Sequence, residues 1–247
     1  MKYIKKKRPP AKYTTWRRRV AGTADNHFEH GLRHPEKGIL KDALLDEQGY
    51  ICAYTMKRIN RDSSHIEHIK PESLCRKEKV GSDLDYTNMV ACFPRDGMES
   101  PYRYGAPAKD NRWDEGGKNF ISPLHRICEQ RFSFDMDGNI RPKGGKGGHI
   151  AAKKTIALLK LDHKSLTEDR KNAITEYIYG AGGKNALSPT QIIRAIQIIC
   201  ERDHSNQFTQ FCVAIHHALL EFQHRENKRK IQKAAINKAL LKNKNKK

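Results

Sequence analysis

The chain has 247 residues, with 48 Lys and Arg against 28 Asp and Glu, for a net charge of +20. No apolar run approaches the ~20 residues a membrane-spanning helix needs, and the opening charges have no hydrophobic stretch behind them, which argues against a bilayer span and a secretory signal. That length suits one compact body with appendages.

The placement of the charge is informative. Residues 1–20 hold nine Lys and Arg and no acid, and residues 226–247 hold nine against the single acid Glu226, so the two ends carry +17 of the +20. A nearly neutral body with two basic arms suits a polyanion such as nucleic acid, although solubilising tails would have the same composition. The candidate contacts are Lys5, Lys6, Lys7, Arg8, Arg17, Arg18 and Arg19 at one end and Lys228, Arg229 and Lys230 at the other. Six scattered cysteines (Cys52, Cys75, Cys92, Cys128, Cys200, Cys212) fit reduced thiols in a cytoplasm better than a disulfide framework.

In chain order, residues 1–37 read as a basic arm and loop, extended around Pro9 and Pro10. His27, His30 and His34 have helical spacing that would suit a second metal site, with surface histidines as the plainer reading. Residues 38–48 predict a helix stopped by Gly49, and 50–54 a strand. Ser64-His65-Ile66-Glu67-His68-Ile69 alternates with the period of a half-buried strand, which puts His65 and Glu67 on one face and Ile66 and His68 on the other. Pro71 ends that strand, a loop leads to Asn88, and 89–93 reads as the returning strand. Residues 132–140 predict a small hairpin turning at Asp137-Gly138-Asn139. The Gly-rich run 143–149 lacks the Gly-Lys-Ser/Thr ending of a P-loop and reads as a linker. Residues 150–225 turn helical: 155–161, 166–179, a helix opened by the capping box Ser188-Pro189-Thr190-Gln191, and one striped by Phe208, Phe211, Cys212, Ile215, Leu219 and Phe222. Residues 226–247 form a basic tail with weak helical amphipathicity.

Two histidines bracketing a carboxylate, then an asparagine after a loop, resemble the HNH (ββα-metal) nuclease motif. The blocks LLDEQGYICAYTMKRI, HIEHIKPES, YTNMVACF, YGAPAKDNRW and ISPLHRICEQRFSFDMDGNI, in order, make the resemblance more specific. From about Lys5 to near Arg170 the chain resembles the HNH nuclease subunit of Septu-type antiphage defence systems, also found beside retrons. The resemblance implies a metal-dependent nuclease working with an SMC/ABC-type ATPase, and a retron reverse transcriptase with its RNA–DNA hybrid is a further conceivable partner. The expected fold is α+β: a ββα-metal core at 38–142, embedded in a mostly helical body with basic arms.

Phosphodiester hydrolysis needs an activated water and a cation to neutralise developing charge. A histidine is suited to take the water's proton near neutral pH, and that role falls to His68. The resemblance maps an acidic metal ligand onto Glu67 and the motif's orienting asparagine onto Asn88. The motif's closing ligand is not evident: Asp110 ranks first, with Asn111, Asp96 and His65 as alternatives, and Lys109 is the candidate phosphate contact. Oxygen ligands favour Mg²⁺ or Mn²⁺. Cys52 and Cys92 lack Cys-x-x-Cys partners, so no structural zinc is expected. The competing reading is a nucleic-acid-binding or partner-docking subunit whose HNH site has decayed. DNA and RNA are not separated by anything in the sequence.

Overall fold

The computed structural model describes residues 1–98, 103–113, 117–144, 149–183 and 185–244, with side chains through residue 237. Two small antiparallel sheets sit among helices. The first pairs β1 (His65–His68) with β2 (Met89–Cys92) in the register His65↔Cys92 to His68↔Met89. Burial alternates along β1 as its sequence predicts, with Ile66 and His68 buried and His65 and Glu67 half-buried, while β2 is buried throughout. A central strand with no polar face reads as a short apolar run, as 89–93 does.

Helix α1 (Ala11–Val20) packs on α3 (Glu36–Glu47), which in turn covers β2. The one-turn helix α2 (Phe28–Gly31) and α4 (Glu72–Glu78) flank β1, and α4 occupies part of the stretch expected to be loop. Two further corrections concern chain expected as strand or free arm. Residues 50–54 make only the isolated bridge Ile51↔Arg58, because Tyr50 (φ 59°) and Met56 (φ 62°) take left-handed conformations that fold 50–59 into a tight loop. Gly49 before it also has φ +59°, and a Cβ there would lie 2.6 Å from the Phe208 ring, so the helix stop is also a packing requirement.

The N-terminal segment is not a loose arm. Met1 and Ile4 are buried, and Ile4 N donates to Pro123 O at 2.9 Å. Lys2 pairs with Glu129 and Lys7 with Asp46, while Lys6 pairs with the fully buried Glu47 at 2.7 Å and lies over the Tyr86 ring. Lys2 and Lys6 are thus spent on part-buried pairs, whereas the Lys7–Asp46 pair lies at the surface, and of the expected nucleic-acid contacts Lys6 is unsuited to that role.

After β2, the one-turn helix α5 (Ala106–Lys109) packs on α6 (Ile150–Leu159). The hairpin β3 (Phe132–Phe134) to β4 (Ile140–Pro142) forms where its turn signal predicts, Asp135 accepting from Asp137 N and Asn139 N at 3.0 Å each. Its Gly138 O accepts from the buried Arg170 on α7 (Lys164–Tyr179) at 2.7 Å. Both halves of the Ser188 capping box form, opening α8 (Pro189–Ile198). On α8 and at its C-cap, Ile192 and Ile199 are buried, whereas Ile193 is exposed. The last helix, α9 (Cys212–Lys244), runs without a break from the buried stripe Cys212, Ile215, Leu219 and Phe222 into the basic tail. One continuous buried cluster runs from Met1 to Phe222 and ties these elements together. The part of the Gly-rich run at 145–148 lies outside the described residues. No helix among the described residues is long and apolar enough to cross a membrane.

Candidate active site

β1, α2, α4 and α5 enclose a cleft of ≈ 320 Å³, on which Glu67, His68, Glu72, Lys109, Asp110 and Asn111 converge. Strand alternation would separate Glu67 from His68, but at the strand's end both reach this cleft.

His68 is the most constrained group. Its Nε2 donates to the Asp83 carbonyl at 2.7 Å, and because a carbonyl only accepts, the neutral ring carries its proton there and keeps a lone pair on Nδ1. The Phe28 ring meets the imidazole edge-on at 4.6 Å, and Phe28 N donates to Asp83 Oδ2 at 2.8 Å. Asp83 therefore fixes both the ring and its apolar neighbour. Burial pushes the His68 pKa below the ordinary value despite the raising effects of the Asp83 carbonyl and Glu67, so the ring is neutral near pH 7.

Asn88 lies just before β2, opposite the end of β1. Its Oδ1 accepts from Lys70 N and its Nδ2 donates to Lys70 O, both at 2.9 Å, while Ile69 N donates to Asn88 O. The side-chain amide thus extends the β1–β2 ladder by one rung and fixes the chain just beyond His68.

Glu67 is half-buried and surrounded by donors: Lys109 Nζ at 2.9 Å and Tyr54 Oη at 3.3 Å from Oε1, with His65 Nε2 at 3.6 Å from Oε2. Burial alone would raise its pKa, but the hydrogen bond from His65 and the charge of Lys109 hold the carboxyl below the usual carboxylate range. His65 shows the complement: burial lowers its pKa, but Glu67 and the Pro94 carbonyl raise it further, to a net rise. The Pro94 carbonyl bonds His65 Nδ1 and so orients the ring.

Lys109 differs from its expected role. Its side chain is 1% exposed, and its ammonium donates to Glu67 Oε1, His68 O (3.0 Å) and Asp110 O (3.3 Å). An ammonium has three N–H donors and all are used, so Lys109 braces Glu67 and the end of β1 instead of reaching for a phosphate.

Among the described residues no three His, Cys, Asp or Glu side chains gather as a metal cage. The best pair is His65 Nε2 with Glu67 Oε2: both lie on one strand face, 3.6 Å apart, and His65 is oriented through Nδ1 by a carbonyl, as metal-binding histidines commonly are. Two cis ligands at ~2.1 Å from one ion stand roughly 3 Å apart, so this pair suits a divalent cation that takes its other ligands from phosphate and water. Asp110 and Asn111 line the cleft without joining that pair. Asp96 also lines it but pairs with Lys37 at 3.8 Å. The histidine trio is not a site: the His27 and His30 rings stack edge-on at 5.0 Å, His27 Nδ1 accepts from His30 N, and His34 lines a separate surface pocket.

Sequence reasoning missed Asp83, Phe28 and Tyr54. Asp83 acts through its backbone carbonyl, which any residue would supply, so only its buried carboxylate marks it. Phe28 and Tyr54 read as ordinary core aromatics.

No protein-family model matches the chain. Over 146 residues, 58% of this chain and 67% of its relative, it is 33% identical to the Vibrio cholerae serotype O1 biovar El Tor protein named "Retron Vc95 putative HNH endonuclease". The chain belongs to the HNH endonuclease family of that retron protein.

Proposed function

We propose that the protein is a metal-dependent endonuclease hydrolysing phosphodiester bonds of nucleic acid, and the effector subunit of an antiphage complex with an ATPase partner. The observation that carries the catalytic part is His68: one ring nitrogen is committed to a carbonyl, and the other is left as a base beside Glu67 at a cleft. A water between His68 Nδ1 and the phosphorus loses its proton to the imidazole as its oxygen bonds to phosphorus and the bond to the leaving sugar oxygen breaks. The leaving oxygen takes its proton from solvent. Glu67 and His65 would hold Mg²⁺ or Mn²⁺, which when bound offsets the charge growing on the phosphate. Lys109 and Tyr54 keep Glu67 in place, and Asn88 keeps β1 in register beneath His68. Asp110 and Asn111 are the candidate third ligands.

The ATPase partner rests on the resemblance of the sequence blocks quoted above, a retron reverse transcriptase with its RNA–DNA hybrid on the relative's retron name, and a cytoplasmic setting on the scattered cysteines. One observation favours the second reading, a non-catalytic nucleic-acid-binding subunit: the lack of a three-ligand cluster among the described residues.

The test is cleavage of labelled duplex DNA, single-stranded DNA and total tRNA by wild type and His68→Ala, with Mg²⁺, Mn²⁺ or EDTA, with and without the ATPase. The expected result is metal-dependent cutting that drops by about 10²–10⁴-fold in His68→Ala. Equal cutting by the variant would move the active site elsewhere, and binding with no cutting under any condition would leave the second reading standing.

A further inference from the structure

A second cavity, ≈ 450 Å³, opens beside the candidate active site, lined by Arg112, Trp113, Asn119, Phe120, Lys154 and Leu158. It is joined to the first site twice. Arg112 N donates to Lys109 O at 3.1 Å, one turn from the lysine that braces Glu67. The Phe120 ring meets Tyr54 edge-on at 5.9 Å, and Tyr54 is the hydroxyl that reaches Glu67.

The walls are well built. The fully buried Thr155 accepts from Ile121 N at 2.8 Å and bonds Asn119 O at 3.4 Å, fixing the segment carrying Phe120 to α6. The Arg112 guanidinium is held by the carbonyls of Ala108 and Leu158. Trp113 and Phe120 stand 5.9 Å apart at 52°, both half-buried. Gly117 (φ +81°) passes so close that a Cβ would lie 2.3 Å from the indole.

Among the described residues the two cavities differ in charge: the acids Glu29, Glu67, Glu72, Asp96 and Asp110 outnumber Lys37 and Lys109 in the first, whereas the charged residues lining the second are Arg112 and Lys154. Aromatic faces flanked by cations are the equipment for an unpaired nucleotide, whose base stacks while its phosphate meets positive charge. A base inside a duplex already has neighbours on both faces and gains little there.

We propose that this cavity receives an unpaired nucleotide of the substrate strand next to the scissile phosphate, with its base against Trp113 and its phosphate against Arg112. The position beside the cleaved bond rests on the nuclease reading; the binding does not.

The full-length His68→Ala chain in EDTA separates the two, because nothing is cut. Fluorescence anisotropy would measure binding of labelled single-stranded oligonucleotides and of a blunt duplex of equal length. Trp113→Leu should weaken single-strand binding by about tenfold while sparing the duplex, in line with the loss of one base–aromatic stack. Trp113→Phe, which keeps an aromatic face, should recover most of that loss, and Arg112→Gln should flatten the salt dependence of single-strand binding. No effect of Trp113→Leu, an equal loss for duplex and single strand, or no oligonucleotide binding at all would overturn the proposal. If His68→Ala cuts as wild type does in Mg²⁺ while Trp113→Leu still costs single-strand binding, the catalytic assignment falls and the nucleotide pocket stands. The converse pair of results removes the pocket and keeps the nuclease.

Discussion

The two ends of the chain have nearly the same charge composition and opposite fates. At the N-terminal end, Met1, Ile4, Tyr13, Trp16 and Val20 are buried, and they carry Lys2, Lys6 and Lys7 onto acids of the body. At the C-terminal end, α9 has its last core contact at Phe222, and Lys228, Arg229 and Lys230 stay exposed, with only Arg229 paired, to Glu226 three residues earlier. Counting charges does not tell the two apart; counting the apolar anchors between the charges does. Lys2 and Lys6 stabilise the fold, while the exposed C-terminal cations, and at the N-terminal end Lys5, Arg8, Arg18 and Arg19, keep their charge at the surface.

The strongest way to break that contrast is Lys6→Ala. It leaves the buried Glu47 carboxylate with only Lys7 N and the Tyr86 hydroxyl, and should cost about 3 kcal/mol of unfolding free energy in urea titrations. Adding Glu47→Gln should return part of it, because the orphaned charge is gone. A stable Lys6→Ala protein would return the N-terminal segment to the status of a solvated arm.

Next in size is a pH effect on the buried half of α9. His217 Nδ1 accepts from Phe134 N at 3.2 Å, and burial with the nearby His216 and Lys143 pushes its pKa down to about 4. Above the unfolded value near 6.5 both states are neutral and the residue is silent. As pH falls from there towards 4, the unfolded chain takes up a proton that the folded one refuses, so stability falls with pH, by roughly 2 kcal/mol after allowance for partial exposure. Thermal melts from pH 7 to pH 4 should show this slope, and His217→Gln should reduce it.

The smallest effect on stability belongs to the exposed half of the same helix. Replacing Lys228, Arg229 and Lys230 by Gln should leave unfolding within about 0.5 kcal/mol. It should still lower the slope of log affinity for duplex DNA against log salt by about 2–3. An unchanged slope would remove these residues from the nucleic-acid surface.

Much of the framework was legible because it rests on period and punctuation. The alternation of 64–69, the Ser188 capping box, the Asp137-Gly138-Asn139 turn and the stripe from Cys212 to Phe222 appear where local rules put them, but Phe208 and Phe211, expected on the same helix, precede it, Phe208 bridged to Arg202 and Phe211 at φ 56°. Glu67 and His68 reach one cleft, and Asn88 sits beneath them. What was not legible depends on long-range partners. Nothing near Lys109 in sequence announces three acceptors brought from β1 and from its own turn, and Lys6 looks like its neighbours until Glu47 and Tyr86 surround it. The strand expected at 50–54 failed because Tyr50 and Met56 adopt backbone conformations that their residue types disfavour.

Asn88 has a consequence beyond its role in register. Its amide grips Lys70 where the chain leaves β1, and Asp83 O grips His68 where the chain returns, so the stretch between is tethered at both ends to the same few residues. Cys75 Sγ to Lys70 O and Ser82 Oγ to Cys75 O draw it tighter. A loop with both ends already together has little closure entropy left to lose. It is therefore less a connection than a ring mounting for the imidazole.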